Sequence, residues 1–217
     1  MRIFQYTLLS DGSSDKALMN IINWTLHQLS PDLSINGQYA ELRRLKNPPK
    51  SLDLKIQKTV ELYPCDVLFV HRDCESKDQS TFEARLNEIT DAFNKNNAIG
   101  HNNLVRIVPI VMMETWLLID EIAIKTAAGN RNYNESLGLP RTQSLESLPD
   151  SKNVLHDILK QASGRKGRRL SKFNIHSAVH LVAEYIDDFS TLKNLKAYQY
   201  FENELKEVLS QINFADY

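Results

Sequence analysis

The sequence predicts an α/β protein: a mainly parallel sheet of about four strands flanked by helices, followed by a C-terminal helical extension. Three observations carry this reading. Short apolar runs rich in β-branched and aromatic residues alternate with helix-period stripes through the first 127 residues. Polar, turn-forming residues bound each run. Beyond Gly129 and a loop-like stretch at 129–150, only helical periods recur.

In chain order, residues 3–10 read as a buried strand. Ala17, Leu18, Ile21, Ile22, Leu26 and Leu29 then form a helical stripe. Ser13 or Ser14 could cap it, with Asp15 favoured in the first turn by the helix dipole. A second strand is expected near 38–45. Pro48-Pro49 breaks the chain, and Leu52, Ile56 and Val60 mark a helix ending near Pro64. Asp66–His71 is the clearest strand. Phe82, Leu86, Ile89 and Phe93, spaced four, three and four apart, predict the next helix. After a polar turn at 94–103, Leu104–Val111 reads as a strand and Glu114–Ala127 as a helix.

Later stripes fall at Ile175, Val179, Val182 and Ile186, and at Tyr198, Phe201, Leu205, Val208, Leu209 and Ile212. The expected organisation is an α/β domain over 1–128 and a helical extension over 129–217. The extension packs on the sheet domain, because its stripes need a partner surface.

Bulk composition narrows the function. With 217 residues, 42 % apolar and 24 % charged, the chain has the balance of a globular protein with a real core. Its net charge of −1 excludes a general nucleic-acid coat, so nucleic acid would have to meet a local basic patch. Cys65 and Cys74 flank a predicted strand, which would hold them too far apart for a disulfide. Met1-Arg2-Ile3-Phe4 enters a strand at once, without the features of a signal peptide, and no apolar run is long enough for a bilayer. A soluble, cytoplasmic protein is the expectation. The Walker A sequence, the dinucleotide fingerprint and the Gly-x-Ser-x-Gly elbow are all missing from the sequence, which leaves ATPase, Rossmann and α/β-hydrolase readings without support.

Acidic residues fall where strands should end. Asp11-Gly12-Ser13-Ser14-Asp15 follows the first strand, Asp73-Cys74-Glu75 the third, and Glu114 the fourth. Carboxylates at the carboxyl ends of parallel strands converge on the crevice where open α/β sheets bind ligands. Such a cluster calls for a divalent cation, Mg²⁺ or Mn²⁺, and suits phosphoryl chemistry. Asp11, Asp15, Asp73 and Glu75 are the candidate metal ligands. Asp11 and Glu114 are the candidate acid/base groups, and Gly12 would let a phosphate approach the backbone.

The spacing Asp11-Gly12-x-x-Asp15, then Asp73-x-Glu75, resembles the Toprim fold of topoisomerases, primases and several nucleases. Its pattern there is Glu-Gly after the first strand and Asp-x-Asp after a later one. This chain departs from it twice, with Asp at 11 and Glu at 75. Pro109, Glu114-Thr115-Trp116-Leu117-Leu118-Ile119-Asp120 and the stretch Leu145–Leu155 resemble a small Toprim-like family. Its members are often encoded beside ABC- or SMC-type ATPases in bacterial anti-phage and abortive-infection loci. The resemblance implies a Mg²⁺-dependent nuclease effector controlled by a partner ATPase. A catalytically silent subunit that binds or regulates such an ATPase is the alternative.

Other features take second place. Gly164–Lys172 carries Arg165, Lys166, Arg168, Arg169 and Lys172 with no acid, a candidate nucleic-acid contact. Arg43-Arg44-Leu45-Lys46 is a weaker basic patch. Arg72 could bind a phosphate or pair with a carboxylate. His176 and His180 have zinc-compatible spacing, but no Glu beside His176 completes the motif. Trp116 and the Tyr198–Ile212 stripe read as core.

Overall fold

The computed structural model describes residues 3–95 and 103–212. Most of the polar stretch expected to turn at 94–103 lies outside them. Four strands form one all-parallel sheet: β1 (Phe4–Leu9), β2 (Ile35–Tyr39), β3 (Val67–His71) and β4 (Leu104–Ile107), in the order β2-β1-β3-β4. The α/β class and the four-stranded parallel sheet are as the sequence predicts. The crossover helices are α1 (Leu18–Leu29), α2 (Leu52–Leu62) and α3 (Gln79–Asn94).

β1 and β3 hold the centre and are buried along almost their whole length. Tyr6 and Phe69 meet edge to face across them at 5.2 Å. In register, Tyr6 lies beside Val67 and His71 beside Ile107. All four strands point their carboxyl ends the same way, so the segments after Leu9, His71 and Ile107 emerge on one edge.

Two elements differ from expectation. β2 runs over Ile35–Tyr39 rather than 38–45; Leu42–Arg44 instead forms a 3-10 turn. The edge strand pairs Phe4 with Ile35 and Leu8 with Tyr39, and only Gly37 fits opposite Tyr6: a Cβ there would lie 2.4 Å from the Tyr6 ring. The single helix expected over Glu114–Ala127 is a 3-10 turn, Met113–Leu117, followed by α4 (Glu121–Ala127). Asp120 separates them: its Oδ1 accepts the Ile122 and Ala123 N–H groups at 2.8 and 2.9 Å, an N-cap that starts a new helix.

β4 also ends earlier than Val111. Beyond it the backbone continues to pair irregularly with the segment after β3. The Cys74 N–H donates to the Pro109 carbonyl at 3.1 Å, and the Glu75 N–H to the Val111 carbonyl at 2.8 Å. Glu75 and Val111 both have left-handed backbones, at φ of 57° and 66°. That conformation is costly for a β-branched residue and recurs at functional sites.

The C-terminal segment contributes α5 (Ser151–Ala162), a single turn α6 (Gly167–Leu170), α7 (Ile175–Tyr185) and α8 (Lys196–Gln211). α7 packs on α4, α5 and the turn at Ser13–Ala17, while α8 packs on β4. One continuous cluster of buried apolar side chains joins the sheet to these helices. Trp116 is fully buried against Tyr198 and Phe201, as its reading as core anticipates. Arg106 of β4 ties the layers together through Glu204 (2.7 Å) and Tyr200 (2.7 Å) of α8 and Thr90 (3.0 Å) of α3. Cys65 and Cys74 are not joined in a disulfide. No helix among the described residues is long and apolar enough to cross a membrane.

Candidate active site at the carboxyl ends of the strands

A cleft of about 220 Å³ opens over the carboxyl ends of β1 and β3. Asp11, Asp15, Asp73 and Glu75 all line it, together with His71, Arg72, Arg85, Arg43 and Lys152. The strand-end acids predicted from sequence are thus brought to one crevice. They divide into two layers.

The outer layer is a chain of alternating charges. Lys55 of α2 contacts Asp11 Oδ1 at 2.6 Å, and Arg72 Nε contacts Asp11 Oδ2 at 2.9 Å. Arg72 continues to Glu88 of α3 at 3.0 Å. Arg85 then joins Glu88 (2.8 Å) to Glu75 (2.9 Å). Arg72 therefore pairs with carboxylates while lining the cleft. Asp11 and Glu75, the two positions that depart from the Toprim pattern, both belong to this rim.

The inner layer lies deeper: Asp15, His71 and Glu114 are buried, whereas Asp73 keeps 32 % of its side chain exposed to the cleft. His71, the last residue of β3, stands between two carboxylates: Nδ1 is 3.4 Å from Asp15 Oδ2 and Nε2 is 3.3 Å from Asp73 Oδ1. Neither ring nitrogen makes a well-directed hydrogen bond, so charge rather than geometry holds the ring. Burial alone would depress the imidazole pKa; Asp15 and Asp73 overcome this and raise it to about 10. Burial likewise opposes the Asp15 carboxylate, yet His71 and the Gly12 N–H hold its pKa below the usual range.

Local sequence explains the placement. The Gly12 N–H donates to Asp15 Oδ2 at 2.8 Å, which folds Asp15 back over the start of the Ser13–Ala17 turn. The space above Gly12 is thereby filled: a Cβ at this position would meet the Asp15 oxygens at 3.0 and 3.1 Å. Gly12 accommodates Asp15 rather than leaving its backbone open to a phosphate. Asp73 Oδ1 also accepts the Met113 N–H at 2.8 Å, which fixes the turn carrying Glu114 beside it.

Glu114 is buried beneath the cleft and does not line it. Its pKa is raised by burial, partly offset by Lys152, and raised further by the charges of Asp73 and Asp15. Lys152 Nζ of α5 lies 3.5 Å from Glu114 Oε1. The stretch around residue 152 enters the sequence reading only through the family resemblance; neither Lys152 nor Lys55 nor Arg85 carries a local signal of its own.

The remaining candidates lie elsewhere. Arg165, Lys166, Arg168, Arg169 and Lys172 are exposed at the far end of α5 from Lys152. The helix between them rises ~16 Å over its 12 residues. Arg43 reaches the cleft, whereas the exposed Arg44 pairs with Glu41. His176 and His180 do not converge: the His176 ring lies 6.1 Å from that of His156, and His180 lines a separate cavity with Lys16 and Glu184.

The inner carboxylates have the donor chemistry for a hard divalent cation, since Asp15 and Asp73 each place an oxygen within 3.4 Å of the buried His71 ring. As they stand, these acids are paired with protein cations. Among the described residues no three His, Cys, Asp or Glu side chains are grouped as a ready metal cage. Comparison with family models, curated proteins and solved structures finds no match for this chain.

Proposed function

We propose that the cleft is a metal-dependent phosphodiesterase site, and that the protein is a Toprim-like nuclease acting in the cytoplasm. The observation that supports this most is the meeting of Asp15 and Asp73 at His71 at the carboxyl ends of parallel strands, with the buried Glu114 close enough to feel the charge of both acids. Mg²⁺ or Mn²⁺ held by Asp73 and Asp15, with Asp11 and Glu75 on the rim, would polarise a phosphate oxygen and activate water. Arg72, Arg85, Lys55 and Arg43 supply positive charge around the opening and would orient the phosphodiester. Burial raises the pKa of Glu114, which suits a group that takes up and returns a proton.

The setting rests on family resemblance alone: an effector in bacterial anti-phage defence, restrained or triggered by an ABC- or SMC-type ATPase. One observation favours the second reading, a silent subunit that binds such an ATPase. Asp11, Glu75, Asp15, Asp73 and Glu114 each already face a protein cation.

The test is cleavage of a mixed pool of DNA and tRNA with Mg²⁺ or Mn²⁺, alone and with the partner ATPase. The nuclease reading expects cleavage that chelation abolishes and that Asp73→Asn removes. Equal cleavage by wild type and variant would remove the mechanism. No cleavage under any condition, with tight complex formation, would establish the silent subunit.

A further inference from the structure

We propose that α5 is a phosphate track leading a polynucleotide strand away from the cleft, so that the substrate is a polymer with several phosphates on one side of the reacting bond. This rests on the reading of the cleft as a phosphodiester site.

Lys152, His156 and Lys160 are spaced four apart on α5. They share one helix face and follow each other at ~6 Å per step. The row begins inside the cleft, where Lys152 approaches Glu114. At its middle, His176 of α7 faces His156, their rings perpendicular at 6.1 Å. The His156 pKa is lowered first by burial and further by its neighbours Lys152, His176 and Lys160, which places three basic side chains within electrostatic reach of the ring.

Past the end of α5 the chain continues into Arg165, Lys166, Arg168, Arg169 and Lys172, all exposed. The Arg165 guanidinium lies 5.1 Å from the centre of the Phe173 ring, joining a charge to an aromatic face. The chain has no acidic residue between Asp157 and Glu184, although it carries 27 in all. Asp157 is the single acidic residue within α5, and it is paired with Lys160 at 2.9 Å.

A structural role covers only part of this. Lys160 in the last turn complements the helix dipole. That effect fades within a turn and does not account for five further exposed cations on a chain of net charge −1. The span of α5 corresponds to about five phosphates of one B-form strand at ~3.4 Å each. A mononucleotide or small phosphodiester could occupy the cleft but not the track.

The experiment measures binding of labelled 20-mers, single-stranded and duplex, by fluorescence anisotropy in EDTA across a salt series. The wild type is compared with Lys160→Ala/Arg168→Ala/Arg169→Ala, whose exposed sites leave the thermal melt unchanged. The track predicts at least tenfold weaker binding and a salt slope shallower by about 2 for a single strand, at ~0.7 per phosphate contact removed. Equal affinity and slope, or no binding of either 20-mer by the wild type at low salt, would overturn it. Hydrolysis of bis(p-nitrophenyl) phosphate with Mn²⁺, which spans only the cleft, separates the two readings. Hydrolysis by both proteins with unchanged 20-mer binding removes the track alone. Weakened binding without any hydrolysis keeps the track and removes the cleft chemistry.

Discussion

Lys152 Nζ stands 3.5 Å from the buried carboxylate of Glu114, and this contact joins the strand-end cleft to the helical segment that begins after the loop at 129–150. The raised pKa of Glu114 means the folded protein holds this proton more tightly than the unfolded chain. Stability from this group is therefore present at low pH and is lost as pH rises through the folded pKa. Glu114→Gln should raise the melting temperature at pH 7. The gain should vanish below the unfolded glutamate value of ~4.3. Paired melts from pH 4 to 8 check this; a Gln variant less stable at pH 7 would contradict it.

His71 makes a prediction of the same sign in a higher pH window. Its pKa is raised to about 10, against burial, by Asp15 and Asp73. Its contribution is fully present below the unfolded value of ~6.5 and is lost as pH rises towards 10. Wild-type stability to urea should fall across that window, and His71→Gln should flatten the slope. A ring carbon shift of neutral imidazole at pH 7.5, seen by NMR, would contradict the charged state.

Arg106 and Glu204 anchor α8 to β4 through a partly buried pair at 2.7 Å. Glu204→Ala leaves the guanidinium without its main partner and should cost about 3 kcal/mol. The exposed Lys58–Glu61 pair at 2.8 Å offers a control, since Glu61→Ala should change stability by less than ~0.5 kcal/mol. Denaturant midpoints of the two variants test the contrast.

Gly37 is required by the close approach of the Tyr6 ring. Gly37→Ala should destabilise by about 1–3 kcal/mol, the usual range for overpacking. A stability equal to wild type would mean that β2 can shift away from β1.

The central strands were legible because Phe4–Leu9 and Val67–His71 are dense apolar runs buried on both sides. β2 was harder to locate. Ile-Asn-Gly-Gln-Tyr lies at a half-covered edge, where burial leaves little pattern, and the apolar residues at 42 and 45 drew the expected strand downstream. The break before α4 was hidden because helical periodicity runs on past Asp120, whose cap is a matter of two hydrogen bonds.

The acids of the site could be read because each closes a strand. Their sorting could not. His71 ends an apolar run and looks like part of it, while Lys55, Arg85 and Lys152 come from helices remote in sequence. Those four residues decide that Asp11 and Glu75 form the rim, that Asp15 and Glu114 are buried, and that the half-buried Asp73 stands between them.

That division is tested most directly by titrating Mn²⁺ into the wild type, Asp73→Asn and Glu75→Gln by calorimetry. One bound ion is expected in the wild type, with at least a tenfold loss of affinity in Asp73→Asn and a smaller loss in Glu75→Gln. Equal Mn²⁺ affinity in all three proteins would contradict a metal site at the carboxyl ends of these strands.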